Sequence, residues 1–202
     1  MKKIKKNIKG FTIIETLFGI SILILVVLAL TLFGRNIWVY SSFVSTGLTD
    51  VNAGKQAIKT MTSEIRTASI ADTGAYVIGL ATASAFIFYA DIDSDGLKEK
   101  IRYFLNGPLL QKGVVKPVGS PLTYNEANEV ISTLVSNITN TSIFDYYDKN
   151  YTGTETPLVF PVNIALVRLV KITLTVDKDA NRTPEPITFS TQISIRNLKD
   201  NI

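Results

Sequence analysis

The stretch Lys2–Phe33, KKIKKNIKGFTIIETLFGISILILVVLALTLF, decides how the chain is organised. Its first part carries Lys2, Lys3, Lys5, Lys6 and Lys9 and no acid. From Phe11 to Phe33 the sequence is apolar, broken only by Gly, Ser and Thr, and it holds one charge, Glu15. A helix of that length rises about 34 Å at ~1.5 Å per residue, enough for a hydrocarbon core about 30 Å thick. Lysines on one flank alone orient such a helix. They place the N-terminus in the cytoplasm and the rest of the chain outside the cytoplasmic (inner) membrane, as a single-pass protein. A cleaved secretory signal has an apolar region of about 7–15 residues and then a small-x-small cleavage site. This run is longer and no convincing site follows it. A plain signal anchor accounts for everything except Glu15 and the abrupt change from Gly10 to Phe11.

Composition narrows the classes further. Of 202 residues, 46% are hydrophobic and 19% charged, which excludes a chain too polar to bury a core. There is no cysteine and no histidine, so disulfides, thiolate metal sites and His-dependent zinc or triad chemistry are excluded. The net charge is +4, but it is local. Removing the five N-terminal lysines from the 21 basic residues leaves 16 against 17 acidic ones, a net of −1. The positive balance therefore belongs to a short tag and gives no basic patch for nucleic acid. No S-x-x-K or G-x-S-x-G sequence is present, and the glycines form no phosphate-binding pattern. The expectation is a protein that is not an enzyme.

Glu15 is the residue that needs an explanation. A carboxylate inside a membrane helix costs up to roughly 3 kcal/mol at the bilayer centre, less near the interface. One reading is a side chain that reaches the headgroups; the other is an ion pair with a cation in an assembly. Cutting after Gly10 would create an α-amine at Phe11, four residues before Glu15, which could pair with it in the same chain or in a neighbour.

The basic leader, Gly10, Phe11, Thr12-Ile13-Ile14-Glu15 and the apolar run together resemble the class III signal of type IV pilins and pseudopilins. That resemblance implies cleavage after Gly10 by a prepilin peptidase and N-methylation of Phe11. It also implies docking of Glu15 against a neighbouring subunit's N-terminus during filament assembly. Two departures are visible. The apolar run has no proline in its second half, where many major pilins carry one, and the chain lacks the C-terminal disulfide of many relatives.

Beyond the apolar run there is no proline from Arg35 to Ala71. Val44, Leu48, Val51, Ile58, Met61, Ile65 and Ala68 recur at helical spacing, with Asp50, Lys55, Lys59, Glu64 and Arg66 between them. The spacing predicts one long helix whose second half lays an apolar stripe on a sheet. The alternative is two helices broken near Gly47 or Gly54, where glycine costs about 1 kcal/mol relative to alanine. After residue 72 the period changes to two. Ala75–Leu80, Ser84–Ala90 and the Ile101/Tyr103/Leu105 set read as strands. Asn125–Ser136 reads as a short helix leading to a strand near Thr141–Tyr147. The alternating runs Val170–Val176 and Ile187–Ile195, joined by the polar Asp177–Pro186, read as an antiparallel hairpin. The fold expected is α+β. Residues 1–10 are a basic leader, 11–34 a transmembrane or assembly helix, 35–71 its amphipathic continuation and 72–202 a β-rich head on an antiparallel sheet.

Within the head, Asp91-Ile92-Asp93-Ser94-Asp95-Gly96 matches the first half of a calcium loop. An EF-hand then needs a bidentate Glu at loop position 12, where this chain has Arg102. Two readings stand: a polar turn between strands, or a calcium site formed by Asp91, Asp93, Asp95 and Glu99, with Asp145 or Asp148 as distant candidates. Strand, acidic turn and the E-x-x-R-Y-x-L run from Glu99 to Leu105 also resemble J-type minor pseudopilins and related minor pilins. SIFDYYDKN (Ser142–Asn150), VRLVKITLTVD (Val167–Asp177) and SIRNL (Ser194–Leu198) share that likeness.

The function these resemblances imply is structural. The chain would be a minor pilin or pseudopilin of a type IV pilus or type II secretion-like filament. It would start in the membrane and then join the pilus or pseudopilus. Its partners would be the prepilin peptidase and other minor pilins or pseudopilins, with no direct nucleic-acid contact. No cofactor is implied beyond the candidate calcium. A different class also fits the sequence: a signal-anchored adhesin or binding module that uses loops at Gly107–Leu122 and Tyr146–Pro157 and keeps Gly10 uncut. Glu126 and Glu129, about one turn apart, read as a solvated helix start.

Overall fold

The computed structural model describes residues 10–178 and 185–198. The leader through Lys9 and the middle of the polar connection at Asp177–Pro186 lie outside the described residues. The chain has one long apolar N-terminal helix and a mostly antiparallel β domain, an α+β fold. It divides into two units, residues 1–46 and residues 47–202.

Helix α1 spans Ile13–Arg66, 54 residues, and passes through Gly47 and Gly54 without a break. In the first unit it is apolar from Leu17 to Phe33 apart from Gly19, Ser21 and Thr31, and it is long and apolar enough to cross a membrane. Every side chain from Ile13 to Phe33 is exposed. The few hydroxyls in this stretch bond back onto the helix. Thr16 Oγ1 donates to Ile13 O at 2.8 Å, Ser21 Oγ to Leu17 O at 2.6 Å and Thr31 Oγ1 to Leu28 O at 2.8 Å. Hydroxyls satisfied in this way carry no unmet polar demand into hydrocarbon.

In the second unit α1 becomes amphipathic. Ala57, Met61 and Ile65 are buried, as is Ala68 just beyond the helix, and Ala53 and Ile58 pack beside them. The stripe is shorter than its periodicity predicts. Val44 is 56% exposed and Leu48 60% exposed. Both lie a turn or more before the first residue that meets the core. The helix ends at Arg66, short of the expected Ala71. Its last turn tightens as Thr67 N donates to Glu64 O and Ala68 N to Ile65 O, and Ser69 N then donates to Tyr89 O at 2.8 Å.

The head is built from short antiparallel strands. β1 (Ile78–Ala81), β2 (Ala85–Ala90), β3 (Glu99–Asn106), β4 (Leu109–Val115) and β7 (Val130–Val135) form a five-stranded sheet in that order. β8 (Phe144–Tyr147), β9 (Leu169–Val176) and β10 (Ile187–Ser194) form a three-stranded sheet with β9 central. β5 (Pro117–Val118) and β6 (Thr123–Tyr124) make a small ribbon. The β9–β10 pair is the expected antiparallel hairpin, in register from Ile187 opposite Val176 to Ser194 opposite Leu169. Alternation sets its faces, with Val170, Ile172, Leu174 and Val176 all inward.

Three expectations are corrected. Asn125–Ser136 is not a helix: only Glu126–Asn128 makes a single 3-10 turn, capped by the Asn125 side chain, before β7. The β-branched Val130, Ile131 and Thr133 suit a strand, and they pair with β4. Gly107–Leu122 is not a long loop, because Gly107 and Pro108 form a tight turn and the chain returns at once as β4. The Tyr146–Pro157 segment also starts inside the core, since Tyr146 and Tyr147 are buried ends of β8.

One core joins both sheets to α1. Phe86, Phe88, Tyr103, Phe144 and Tyr146 form a connected aromatic group, with Phe86 to Phe88 centroids 5.4 Å apart and Phe86 to Tyr146 5.7 Å. Full burial of such a side chain contributes about 1.5–3 kcal/mol. Glu64 of α1 fixes the helix on the sheet. It accepts from Tyr103 Oη at 2.5 Å and from Lys112 Nζ at 2.6 Å. Burial, and then the Glu64 charge, push the Tyr103 hydroxyl far above its ordinary range.

Gly54 is a close-approach residue. A Cβ there would stand 2.7 Å from Cε2 of Phe189 on β10. Alanine in an uncrowded helix gains up to about 1 kcal/mol over glycine. Gly54→Ala is therefore expected to lower the melting temperature of the head, followed by near-UV circular dichroism of the full chain in detergent. Gly47→Ala, which meets nothing within 4 Å, is expected to leave it level or raise it. Equal gains from both would contradict this packing.

Candidate functional site

Two groups of candidate residues fall in different units of the chain. In the first unit, Gly10 and Phe11 precede α1 and are exposed. Thr12 and Glu15 form a reciprocal cap on the helix. Glu15 N donates to Thr12 Oγ1 at 3.3 Å, and Thr12 N donates to Glu15 Oε2 at 3.4 Å. This is the capping-box arrangement, Thr-x-x-Glu, in which two orphan N–H groups of the first turn find partners. Glu15 therefore has a local partner within its own chain. The four-residue signature is legible in the sequence as Thr12-Ile13-Ile14-Glu15.

In the second unit, the acidic loop connects β2 to β3. Ala90 lies opposite Glu99, so Asp91–Lys98 bulges from the end of a paired hairpin. The aspartates fold the loop onto itself. Asp91 Oδ1 accepts from Ser94 N at 2.7 Å and Asp91 Oδ2 from Gly96 N at 3.0 Å. Asp93 Oδ1 accepts from Asp95 N at 3.2 Å, and Asp95 Oδ1 from Leu97 N at 2.8 Å. The loop passes through the left-handed region at Ser94 (φ 64°) and Gly96 (φ 92°). Glycine adopts that conformation without the cost a Cβ imposes.

Glu99 is the unusual member. It begins β3 and shares the inward face with Ile101 and Tyr103, so strand alternation drives its carboxylate into the head, where it is 0% exposed. Its Oε2 accepts from Ile92 N at 3.0 Å. Its Oε1 has no hydrogen-bond partner among the described residues. Burial pushes the Glu99 carboxyl above its ordinary range, and the charges of Asp93 and Asp95 add to the effect. One carboxylate oxygen from each of Asp91, Asp93 and Glu99 lies within 4.8 Å of the others, a grouping able to hold a metal ion.

Asp95 is outside that group, and so are Asp145 and Asp148. Asp145 faces Lys171 across β8 and β9, and Asp148 accepts from Asn150. Arg102 at loop position 12 is tied up elsewhere, in a two-point pair with Glu129 at 2.8 and 2.6 Å and over the Phe104 ring at 3.9 Å. Glu126 pairs with Lys100. The two acids read as a solvated helix start are thus ion-pair partners of β3.

The residue missed from the sequence is Lys116, just past β4. Its ammonium donates to Asp93, lies 3.5 Å from Asp95 Oδ2 and reaches only 4.0 Å from Glu99 Oε1. It holds Asp93 below the usual carboxylate range. No local pattern announces it, because the β3–β4 register brings it to the loop. The loop's base is fixed by Asp72, which accepts from Lys98 Nζ and Lys98 N, each at 2.6 Å, and by Tyr124 Oη donating to Lys98 O at 2.7 Å.

No protein-family model matches the chain, and no curated protein matches it significantly.

The Lys98 hydrogen bonds hold Asp72 below its ordinary range. A lowered folded value stabilises the head above the unfolded carboxyl value of about 3.9, and that stability is lost as pH falls through the folded value. Asp72→Asn is expected to lower the melting temperature at pH 7 by about 2–4 °C, the effect of ~1 kcal/mol in a domain of this size. The gap from wild type should begin to narrow near pH 3.9 and close only once the pH has fallen below the lowered folded value. A gap independent of pH would contradict the ion-pair role.

Proposed function

We propose that the chain is a minor pilin or pseudopilin, a structural subunit of a type IV pilus or type II secretion-like filament. Prepilin peptidase cuts it after Gly10, Phe11 becomes the methylated N-terminus, and α1 carries it into the assembly. The observation that supports this reading is the position of the G-F-x-x-x-E sequence. It lies at the first turn of a 54-residue helix whose first part is apolar and uncovered and whose last turns pack on an antiparallel sheet. A helix of this kind serves two environments in turn, lipid before assembly and a bundle of like helices afterwards. The head stands outside the cytoplasmic membrane, and other minor pilins or pseudopilins are its partners. Among those, the chain resembles the J type in its strand, acidic turn and E-x-x-R-Y-x-L run.

Glu15 sets axial register in this account. In the lone chain it caps Thr12. In the filament its carboxylate meets a neighbour's N-terminal amine, and leaving one partner of such a buried pair unmatched costs several kcal/mol. A signal-anchored adhesin is the competing class, and its expected receptor segment at Gly107–Leu122 is largely strand.

Two substitutions separate capping from pairing. Gln serves at this capping-box position as well as Glu does but carries no charge. Glu15→Ala and Glu15→Gln are both expected to insert in the membrane and fold, yet to be lost from the sheared filament or co-purified complex by tenfold or more. Normal incorporation of Glu15→Gln would reduce Glu15 to a helix cap and overturn the register role.

A further inference from the structure

We propose that the loop between β2 and β3 is a calcium site, with Asp91, Asp93 and Glu99 as its carboxylate ligands. The proposal stands apart from the filament reading and does not depend on it.

Two independent observations carry it. The first is spacing. Calcium takes oxygen ligands at about 2.3–2.6 Å, so ligand atoms across the ion stand up to about 5 Å apart. One oxygen from each of Asp91, Asp93 and Glu99 falls inside that limit, all within 4.8 Å of one another. The second is Glu99 itself. It is 0% exposed, and its Oε1 has no hydrogen-bond partner among the described residues. A buried carboxylate oxygen left unpaired is costly, and burying a charge demands a partner or a metal. Oε1 points to the acidic loop, since the ammonium bonded to Asp93 is also the nearest cation to it, at 4.0 Å.

Lys116 meets only part of this demand. It bonds Asp93 and stays beyond hydrogen-bond reach of Glu99. Its side chain is 58% exposed on a flexible stem, so a divalent ion can displace it outward at little cost in buried contacts. An all-oxygen donor set in a chain without His or Cys favours a hard cation over zinc or copper. The irregular loop favours calcium over magnesium, which demands near-ideal octahedral geometry and gives up water reluctantly. Asp91 and Asp93 already accept backbone N–H groups. Each carboxylate oxygen retains a further lone pair for the ion. Bound there, calcium would tie the start of β3 to the loop and stiffen the β2–β3 hairpin.

The test uses the full chain in detergent, stripped with chelator. Calcium chloride is titrated by calorimetry and by thermal unfolding, with magnesium chloride in parallel. The expected result is saturable calcium binding in or below the millimolar range of extracellular sites, with a melting temperature raised by several degrees. Asp93→Asn, on the exposed loop, should weaken binding at least tenfold without unfolding the head. Glu99→Gln should abolish it. Lys116→Gln should tighten it several-fold by removing the competing charge. Absence of a calcium response in the wild type, a response unchanged by Asp93→Asn, or an equal response to magnesium would each overturn the proposal. In the first case Lys116 is itself the loop's cation.

Discussion

Among the described residues nothing covers the apolar first part of α1, and that constraint decides where this helix can be stable. Side chains such as Leu17, Phe18, Leu25 and Leu30 are each more than half exposed. Each leaves about 1.5–3 kcal/mol of burial unrealised in water. A run of this kind is stable only in hydrocarbon or against other apolar helices. Its hydroxyls already bond to helix carbonyls, so either environment accepts it. The same helix then changes character. By Ala57 it presents a narrow stripe to a core, with Lys55, Lys59 and Arg66 facing solvent and Glu64 turned to the sheet.

The head makes up for its lack of disulfides with cross-linking polar contacts at its margins. Glu64 reaches from α1 to β3 and β4, Asn197 Nδ2 donates to Ala68 O at 2.7 Å where the helix ends, and Asn140 bridges to β9 through Thr173 O and Thr175 N. Each bond joins segments distant in sequence, and each buried partner would carry a desolvation cost alone. Glu99 Oε1, by contrast, has no hydrogen-bond partner among the described residues, and Glu99 lies where the acidic loop gathers its carboxylates.

Much of the fold was legible because period and chemistry agreed. Val170–Val176 alternates cleanly and became the central strand β9, and Ile101 and Tyr103 marked the inward face of β3. β4 was missed because Gly107-Pro108 and Gly113 read as loop residues, although one pair forms a tight hairpin turn and the other glycine sits within a strand. The apolar stripe was read too far toward the N-terminus, since periodicity records a face and not where the core begins. At the acidic loop, Asp91, Asp93 and Glu99 were legible from local spacing, but the burial of Glu99 and the arrival of Lys116 depend on strand register. The cap at Thr12 was present in the sequence as Thr-x-x-Glu. Arg102 and Glu129 illustrate the same limit from the other side: their pairing joins β3 to the segment before β7 through the register of β4 between them.

In the proposed function the mature chain begins at a processed and modified Phe11, two residues before α1. Mass spectrometry of the intact membrane-derived protein and of its N-terminal peptide, made with and without co-expressed prepilin peptidase, tests it most directly. The account expects a peptidase-dependent chain beginning at N-methylated Phe11. An N-terminus that retains Lys2–Gly10 in the presence of active peptidase would contradict it and leave α1 as an ordinary membrane anchor.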